Sequence, residues 1–322
     1  MSSPDASAAL AAEKQHNRIQ SIAMVAAIGL LMAISAFVLW SYLGVLLAIA
    51  LAAGLYVLAP KVPPEWTMRL FRAARLGDRQ GTQITGLVAE ISRRAGLPRP
   101  PAVYLVPSAT LNAFSVGQPD RSGLAITEGL LRKLDLRQLA SVIGHEIGHV
   151  ANGDLETLMI ADVMARVTQL LALAGIGLFL FHLPSLLTGE TRVPWLAMLV
   201  LFFSPLLINL LQLGLSRTRE YDADAASASL TGDPAGLASA LSVIERYQGR
   251  FWQDIAPPGG RHIPQPSLLR SHPATDDRIA RLKPLVERPE EQIALGNEPM
   301  ITMAGVGPAS MRPRYRFPGV WF

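Results

Sequence analysis

From Ile19 to Pro60 the chain carries no charged side chain, a run of 42 residues. Backbone polar groups immersed in lipid must find their partners within the chain, so such a run folds as helix. One helix crosses a bilayer in about 20 residues, and this run is too long for a single crossing. The natural cut is at Trp40-Ser41-Tyr42, followed by Gly44. Aromatic side chains favour the membrane interface, and glycine permits a tight turn. Two spans are expected, about Ile22–Trp40 and Leu43–Leu58, forming a hairpin. A second apolar segment comes at once with no polar cleavage region between, which speaks against a cleaved signal peptide.

Two more charge-free runs lie at Val167–Gly189 and Val193–Ser216, with Glu190 and Arg192 in the short link. They read either as a second spanning hairpin or as buried core helices, and their length favours spanning. Pro184 marks the end of the first, and Pro205 would kink the second. Lys14 and Arg18 precede the first hairpin, and Lys61, Arg69, Arg72, Arg75 and Arg79 follow it, which puts both ends on the cytoplasmic side. The chain then returns to that side at Arg217. Charged residues make up only 17% of the whole, against about 25% in a soluble domain. The net charge of +4 reads as membrane flanks. No nucleic-acid partner is expected, since no RNP, zinc-finger or helix-turn-helix pattern is present. With no cysteine, disulfides and thiolate chemistry are excluded.

The remaining segments look soluble. Residues 1–18 form a cytoplasmic N-terminal segment ahead of the hairpin at 19–60. Residues 61–165 carry strands at Ala102–Val106, Thr110–Gly117 and Ser122–Thr127. A short helix near Glu128–Leu134 follows, then a longer one from Asp135 to Val150. Asp135 is its N-cap, with Gln138 three residues on. After the hairpin at 166–216, residues 217–290 read as mostly helical. Residues 291–322, rich in Pro, Gly and Met, read as an extended tail.

The chemistry sits in "SVIGHEIGHVANGD", Ser141–Asp154. Residues i and i+4 share a helix face, so His145 and His149 can turn ring nitrogens to one metal ion. Glu146 beside them can hold a water. This is the H-E-x-x-H arrangement of zinc peptidases. Three fixed positions also match by accident in roughly one chain in a hundred of this length. Gly148 weakens helix propensity by about 1 kcal/mol against alanine, which suits a place where another backbone or a substrate comes close. A third ligand is needed, and "SRTREYDADAAS" offers Glu220 and Asp224, again i and i+4. Read alone, that stretch is equally an exposed charged helix start after a span. Beside the histidine pair, Glu220 becomes a candidate ligand and Asp224 a candidate to orient a liganding histidine. Asp154 stays open between a helix-end polar residue and support for the site.

Three motifs in order, "NAFSVG", "HEIGHVANGD" and "SRTREYDADAAS", with a weaker fourth, "SHPATDDRIARL", resemble the HtpX-like membrane zinc metallopeptidases, relatives of the type I CAAX prenyl proteases. The likeness covers roughly residues 15 to 285. It implies an α+β, mainly helical fold: a zincin-type (gluzincin) peptidase domain with a small sheet and an HExxH helix, joined to about four transmembrane helices in two hairpins. His145, His149 and Glu220 would bind one Zn2+ per chain, with Glu146 as general base and Asp224 behind the ligands. Asn112, with Ala113 and Phe114, would line the substrate on an edge strand, unless Asn112 merely starts that strand. His272 would stabilise the oxyanion near the cleft, or simply open a helix with Pro273 at its first position. Arg278 would pair with a carboxylate there. Gly148 stands where serine or alanine is frequent in such proteins, a departure expected to affect ligand geometry little. The implied activity is endoproteolysis of damaged or misfolded membrane proteins at the cytoplasmic face of a bacterial inner membrane, with the lipid bilayer as a partner. Processing of a defined peptide, lipoprotein or prenylated substrate is the alternative task. A zinc-stabilised membrane scaffold is the alternative of another class, against which an intact Glu146 argues. Nothing in the sequence bears on oligomeric state.

Overall fold

The computed structural model describes residues 4–58, 63–77, 82–188, 195–255, 274–285, 292–293, 315–316 and 320–321. His272, His262 and most of the tail lie outside them. Among these residues, three helices are long and apolar enough to cross a membrane, within residues Gln15–Leu58, Asp154–Pro184 and Trp195–Thr231.

Helix α1 (Pro4–Leu58) is broken where the sequence suggests. Trp40 (φ −142°, ψ 29°) and Ser41 (φ 54°, ψ −144°) leave helical geometry. The packing shows that the chain doubles back there. Met24 and Ile28 pack with Leu158 and Ala161 of α6 (Asp154–Leu187), and Met32 and Ala36 pack further along it with Val167 and Leu171. Past the break the order reverses: Val45 and Ala48 join the Val167–Leu171 cluster, and Tyr56 donates to Glu156 at 2.7 Å. Gly44 is what lets the two arms close, since a Cβ there would lie 2.2 Å from the Ala36 carbonyl oxygen. Helix α7 (Trp195–Thr231) runs antiparallel to α6, and Leu201 lies against Gly175. The helix of the third run ends at Leu187, past the expected stop at Pro184, and Pro205 lies inside α7. Among the described residues, four apolar rods result: the two arms of α1 and the antiparallel pair α6 and α7.

The soluble part is built on a four-stranded sheet in the order β1-β2-β4-β3. Strand β2 (Ala102–Val106) lies where expected, parallel to β4 (Arg121–Thr127), and β3 (Ala113–Gln118) pairs antiparallel with β4. Strand β1 (Ala74–Arg75) is too short for any periodicity to show it. Side chains alternate between the two sheet faces. Val103, Leu105, Leu124 and Ile126 face a core completed by α3 (Thr82–Arg94), α4 (Glu128–Lys133) and α5 (Leu136–Asn152). Tyr104, Val106, Ala125 and Phe114 face the other way and are covered by Met68 and Phe71, at and just past α2 (Pro64–Leu70). Helices α8 (Pro234–Ile255) and α9 (Thr275–Leu282) pack around α7. Tyr315–Arg316 (β5) and Val320–Trp321 (β6) pair in a short antiparallel ladder within the tail.

Candidate metal centre

Helix α5 begins with the expected capping box. The Asp135 carboxylate accepts from Gln138 N at 2.8 Å, and the Gln138 side chain accepts from Asp135 N at 3.1 Å. It ends at Gly153, whose φ of 66° lies in the left-handed region that glycine adopts without penalty. That turn starts α6 at once and brings Asp154 back beneath the helix it has just left.

His145 and His149 lie on the face of α5 turned toward α7. The approach is close because Gly144 and Gly148 meet Ala223, Ala226 and Ser227 there. A Cβ on Gly148 would lie 2.9 Å from the Ala226 Cβ, and Ser227 Oγ donates to the Ser141 carbonyl at 2.6 Å. This crossing sets Glu220 of α7 above both imidazoles. The two Nε2 atoms are 3.1 Å apart, and the Glu220 carboxylate oxygens lie 3.6 Å from His145 Nε2 and 3.7 Å from His149 Nε2. Donors bound tetrahedrally at 2.0–2.1 Å stand about 3.3 Å apart, so the triangle is of the right size for one small cation.

What lies behind the triangle fixes its polarity. His145 Nδ1 lies 2.9 Å from Asp224 Oδ1, and His149 Nδ1 lies 2.7 Å from Asp154 Oδ2. Each carboxylate is placed to accept the Nδ1 proton, an arrangement that in the neutral ring leaves the Nε2 lone pair for the centre. Burial disfavours the charged His149 ring, but the Asp154 hydrogen bond and the charges of Glu146, Glu220 and Asp154 prevail and raise its pKa to about 9. Arg278 of α9 grips Asp224 through two bonds, at 2.7 and 2.5 Å, and reaches Glu220 Oε2 at 3.4 Å. The structure therefore brings His145, His149, Glu220, Asp224, Asp154 and Arg278 together.

Arg219 escaped the sequence reading. It is buried, donates to Asp154 Oδ1 at 3.2 Å, pairs with Asp222 at 2.7 Å and bonds Ser21 Oγ of α1. Its spacing of three from Asp222 was the available signal, although nothing local points it toward Asp154.

Glu146 is half-buried and faces a cleft of about 590 Å³ that also takes in Asn112, Ala113, Phe114, Asp154 and Arg278. Strand β3 forms one wall, and Ser115 Oγ donates to the Glu146 carbonyl at 3.3 Å. The Asn112 backbone is tied to Thr127: its carbonyl accepts from Thr127 N and its N–H donates to Thr127 Oγ1, both at 3.0 Å. By the alternation of an antiparallel ladder, Ala113 and Ser115 then turn their N–H and C=O groups to the open edge. The lining also includes the apolar side chains of Leu237, Leu241 and Ile244 of α8.

The family model of peptidase family M48 matches residues 78–286, which include both histidines, Glu146 and Glu220. The chain belongs to peptidase family M48. Among curated relatives, a "Protease HtpX homolog" of Desulfatibacillum aliphaticivorans is 32% identical over 278 residues, covering 83% of this chain and 89% of that one. Another of the same name, from Acaryochloris marina, is 34% identical over 256 residues, covering 76% and 86%. The crystal structure of S. mikatae Ste24p superposes with a TM-score of 0.50 over 84% of this chain and 67% of that one; at 17% identity this is a likeness of fold. This M48 chain is a metalloprotease, a hydrolase acting on protein substrates, and its apolar helices make it an integral membrane protein.

Proposed function

We propose that the chain is a zinc-dependent endopeptidase of the bacterial inner membrane, its cleft facing the cytoplasm, acting on misfolded or damaged membrane proteins. The reading rests on one arrangement: the His145–His149–Glu220 triangle, with a carboxylate behind each histidine, set beside Glu146 in a cleft with an open strand edge. Two imidazoles and one carboxylate with an open fourth position form a donor set suited to catalytic zinc. Bound there, the ion would supply Lewis-acid polarisation and a water that ionises near neutral pH. Glu146 takes the proton of the attacking water and delivers it to the leaving amine nitrogen. An extended substrate adds to β3 through the backbones of Ala113 and Ser115, with Asn112 and Phe114 beside it. Asp224 and Asp154 keep both imidazoles in the liganding tautomer, and Arg278 offsets the negative charge of Asp224 and Glu220. His272 would donate to the developing oxyanion. The basic flanks Arg18, Lys61, Arg69, Arg72 and Arg75 support the cytoplasmic orientation.

The test is the full chain reconstituted in lipid, wild type against Glu146→Gln. The variant should retain about one zinc per chain yet leave casein uncut. A variant cleaving at the wild-type rate would remove Glu146 from the mechanism. Comparing the membrane proteins that accumulate in cells expressing either form tests the substrate class.

A further inference from the structure

Helix α2 presents two unlike faces. Pro64 and Met68 are buried against the sheet, where they press on Gly117, Gly123 and Tyr104. The opposite face carries Trp66 and Leu70, 66% and 68% exposed, and beside them Arg69, Arg72 and Arg75 are exposed as well. An exposed tryptophan and leucine close in sequence to three exposed arginines is an unusual surface for water to cover. It is an ordinary one for the boundary of a bilayer, where indole rings sit among headgroups and cations meet phosphate.

The fold puts α2 at that boundary. Pro64 follows the end of the first hairpin, Leu58, by six residues, which extended chain spans in about 20 Å at most. The same end of that hairpin is pinned beside the metal centre twice, through Tyr56 on Glu156 and Ser21 on Arg219. Glu156 shares the cleft with Gly117, against which Pro64 packs. Sheet, α2 and the emerging spans therefore stand at one level.

We infer that α2 and the turn after it form a foot that rests on the bilayer surface, with Trp66 and Leu70 among the lipid headgroups and Arg69, Arg72 and Arg75 on anionic headgroup phosphates. The occupant follows from continuity and charge: the helix is tethered to a span, and the arginines complement anionic lipid. The foot bears on the substrate wall of the cleft. Phe71, which ends α2, packs on Phe114 of β3 with ring centroids 4.8 Å apart, and Phe114 lines the cleft.

The chain has no cysteine, so Leu70→Cys creates a single attachment point for an environment-sensitive dye, and Trp66→Cys a second. The full chain is reconstituted in nanodiscs of phosphatidylcholine with or without phosphatidylglycerol. Dye quenching by aqueous iodide is compared with that at Arg93→Cys on α3, whose native side chain is 72% exposed. With phosphatidylglycerol present, positions 66 and 70 should be roughly threefold or more less accessible to iodide than position 93, as for a side chain moved into the headgroup layer. Nitroxide lipids labelled near the headgroup should quench both dyes. Arg69→Gln, Arg72→Gln and Arg75→Gln combined should abolish the shielding. Accessibility equal to that of position 93 overturns the foot. Shielding that is the same with and without phosphatidylglycerol, or that survives the triple change, overturns the role of the arginines. Reconstitution depends on the apolar spans and the dye readout needs no catalysis, so neither outcome touches the peptidase reading.

Discussion

Gly148→Ala isolates the helix crossing on which the metal centre depends. The added Cβ would stand 2.9 Å from the Ala226 Cβ and 3.4 Å from the Ala223 Cα and carbonyl oxygen. Carbon atoms settle at about 3.5–4.0 Å, so α5 and α7 must separate by roughly 0.5–1 Å at this point. Ala226 has no side chain to swing aside, and the displacement passes along α7 to Glu220. The ligand triangle, with edges of 3.1, 3.6 and 3.7 Å, has little room for it. We expect metal affinity to fall about tenfold or more, on the scale seen when the support of a ligand is disturbed. The metal-free fold should change less, because alanine returns about 1 kcal/mol of helix propensity against an overpacking cost of about 1–3 kcal/mol. Zinc titration against a competing chelator measures the first quantity and thermal unfolding of the metal-free protein the second. Ala226→Gly in the same chain should restore affinity, since it removes the opposing carbon. If Gly148→Ala alone binds zinc as wild type does, or if Ala226→Gly fails to rescue it, the argument that glycine sets the ligand spacing is wrong.

Two further outcomes follow from contacts outside the site. Asp233 caps α8, accepting from Gly236 N at 2.9 Å and pairing with Arg137 at 2.5 and 2.7 Å. Burial pushes its carboxyl pKa up, but the Arg137 and Gly236 bonds outweigh it and hold the pKa below the ordinary value. Its stabilisation is thus complete above the unfolded carboxyl pKa and fades as pH falls through the lowered one. Asp233→Asn should unfold earlier than wild type at neutral pH, with the gap closing in acid; a gap independent of pH in chemical denaturation would contradict this. Gly44→Ala should lower the thermal stability of the detergent-solubilised protein by about 1–3 kcal/mol through overpacking against Ala36. Gly54→Ala, where nothing lies within 4 Å of the new carbon, is the control, and equal stability of the two variants would refute the tight closure of the hairpin.

Local signals carried much of the architecture. Charge exclusion marked the apolar rods, Trp40-Ser41 marked the break, the Asp135–Gln138 box marked the start of α5, and β2 appeared at its observed bounds. The spacing of His145 and His149 required only helix geometry. Glu220 entered as a candidate because a metal needs a third donor, and the structure sets it beside both imidazoles. What stayed hidden depends on contacts distant in sequence. Strand β1 is defined only by its partner β2. Asp154 could be placed only once the Gly153 turn was known. Arg219 joins α1, α6 and α7 through Ser21, Asp154 and Asp222, a junction with no periodicity of its own. Gly148 hinted at close approach, but the sequence did not say that α7 was the backbone approaching.

The placement of Glu220 on α7 has a consequence for biosynthesis. It is made 71 residues after His149, with the whole second hairpin in between. At roughly 5–20 residues per second, a growing chain holds the histidine pair for several seconds before the candidate third ligand exists. If both intervening segments span the bilayer as proposed, Glu220 comes beside the pair only when they have been threaded and the chain has come back to the same side. A span inserted the wrong way leaves Glu220 across the bilayer from the histidines. On the proposed zinc site, such an error would yield an inert protein and not a misdirected protease, and correct topology would itself be a condition for activation.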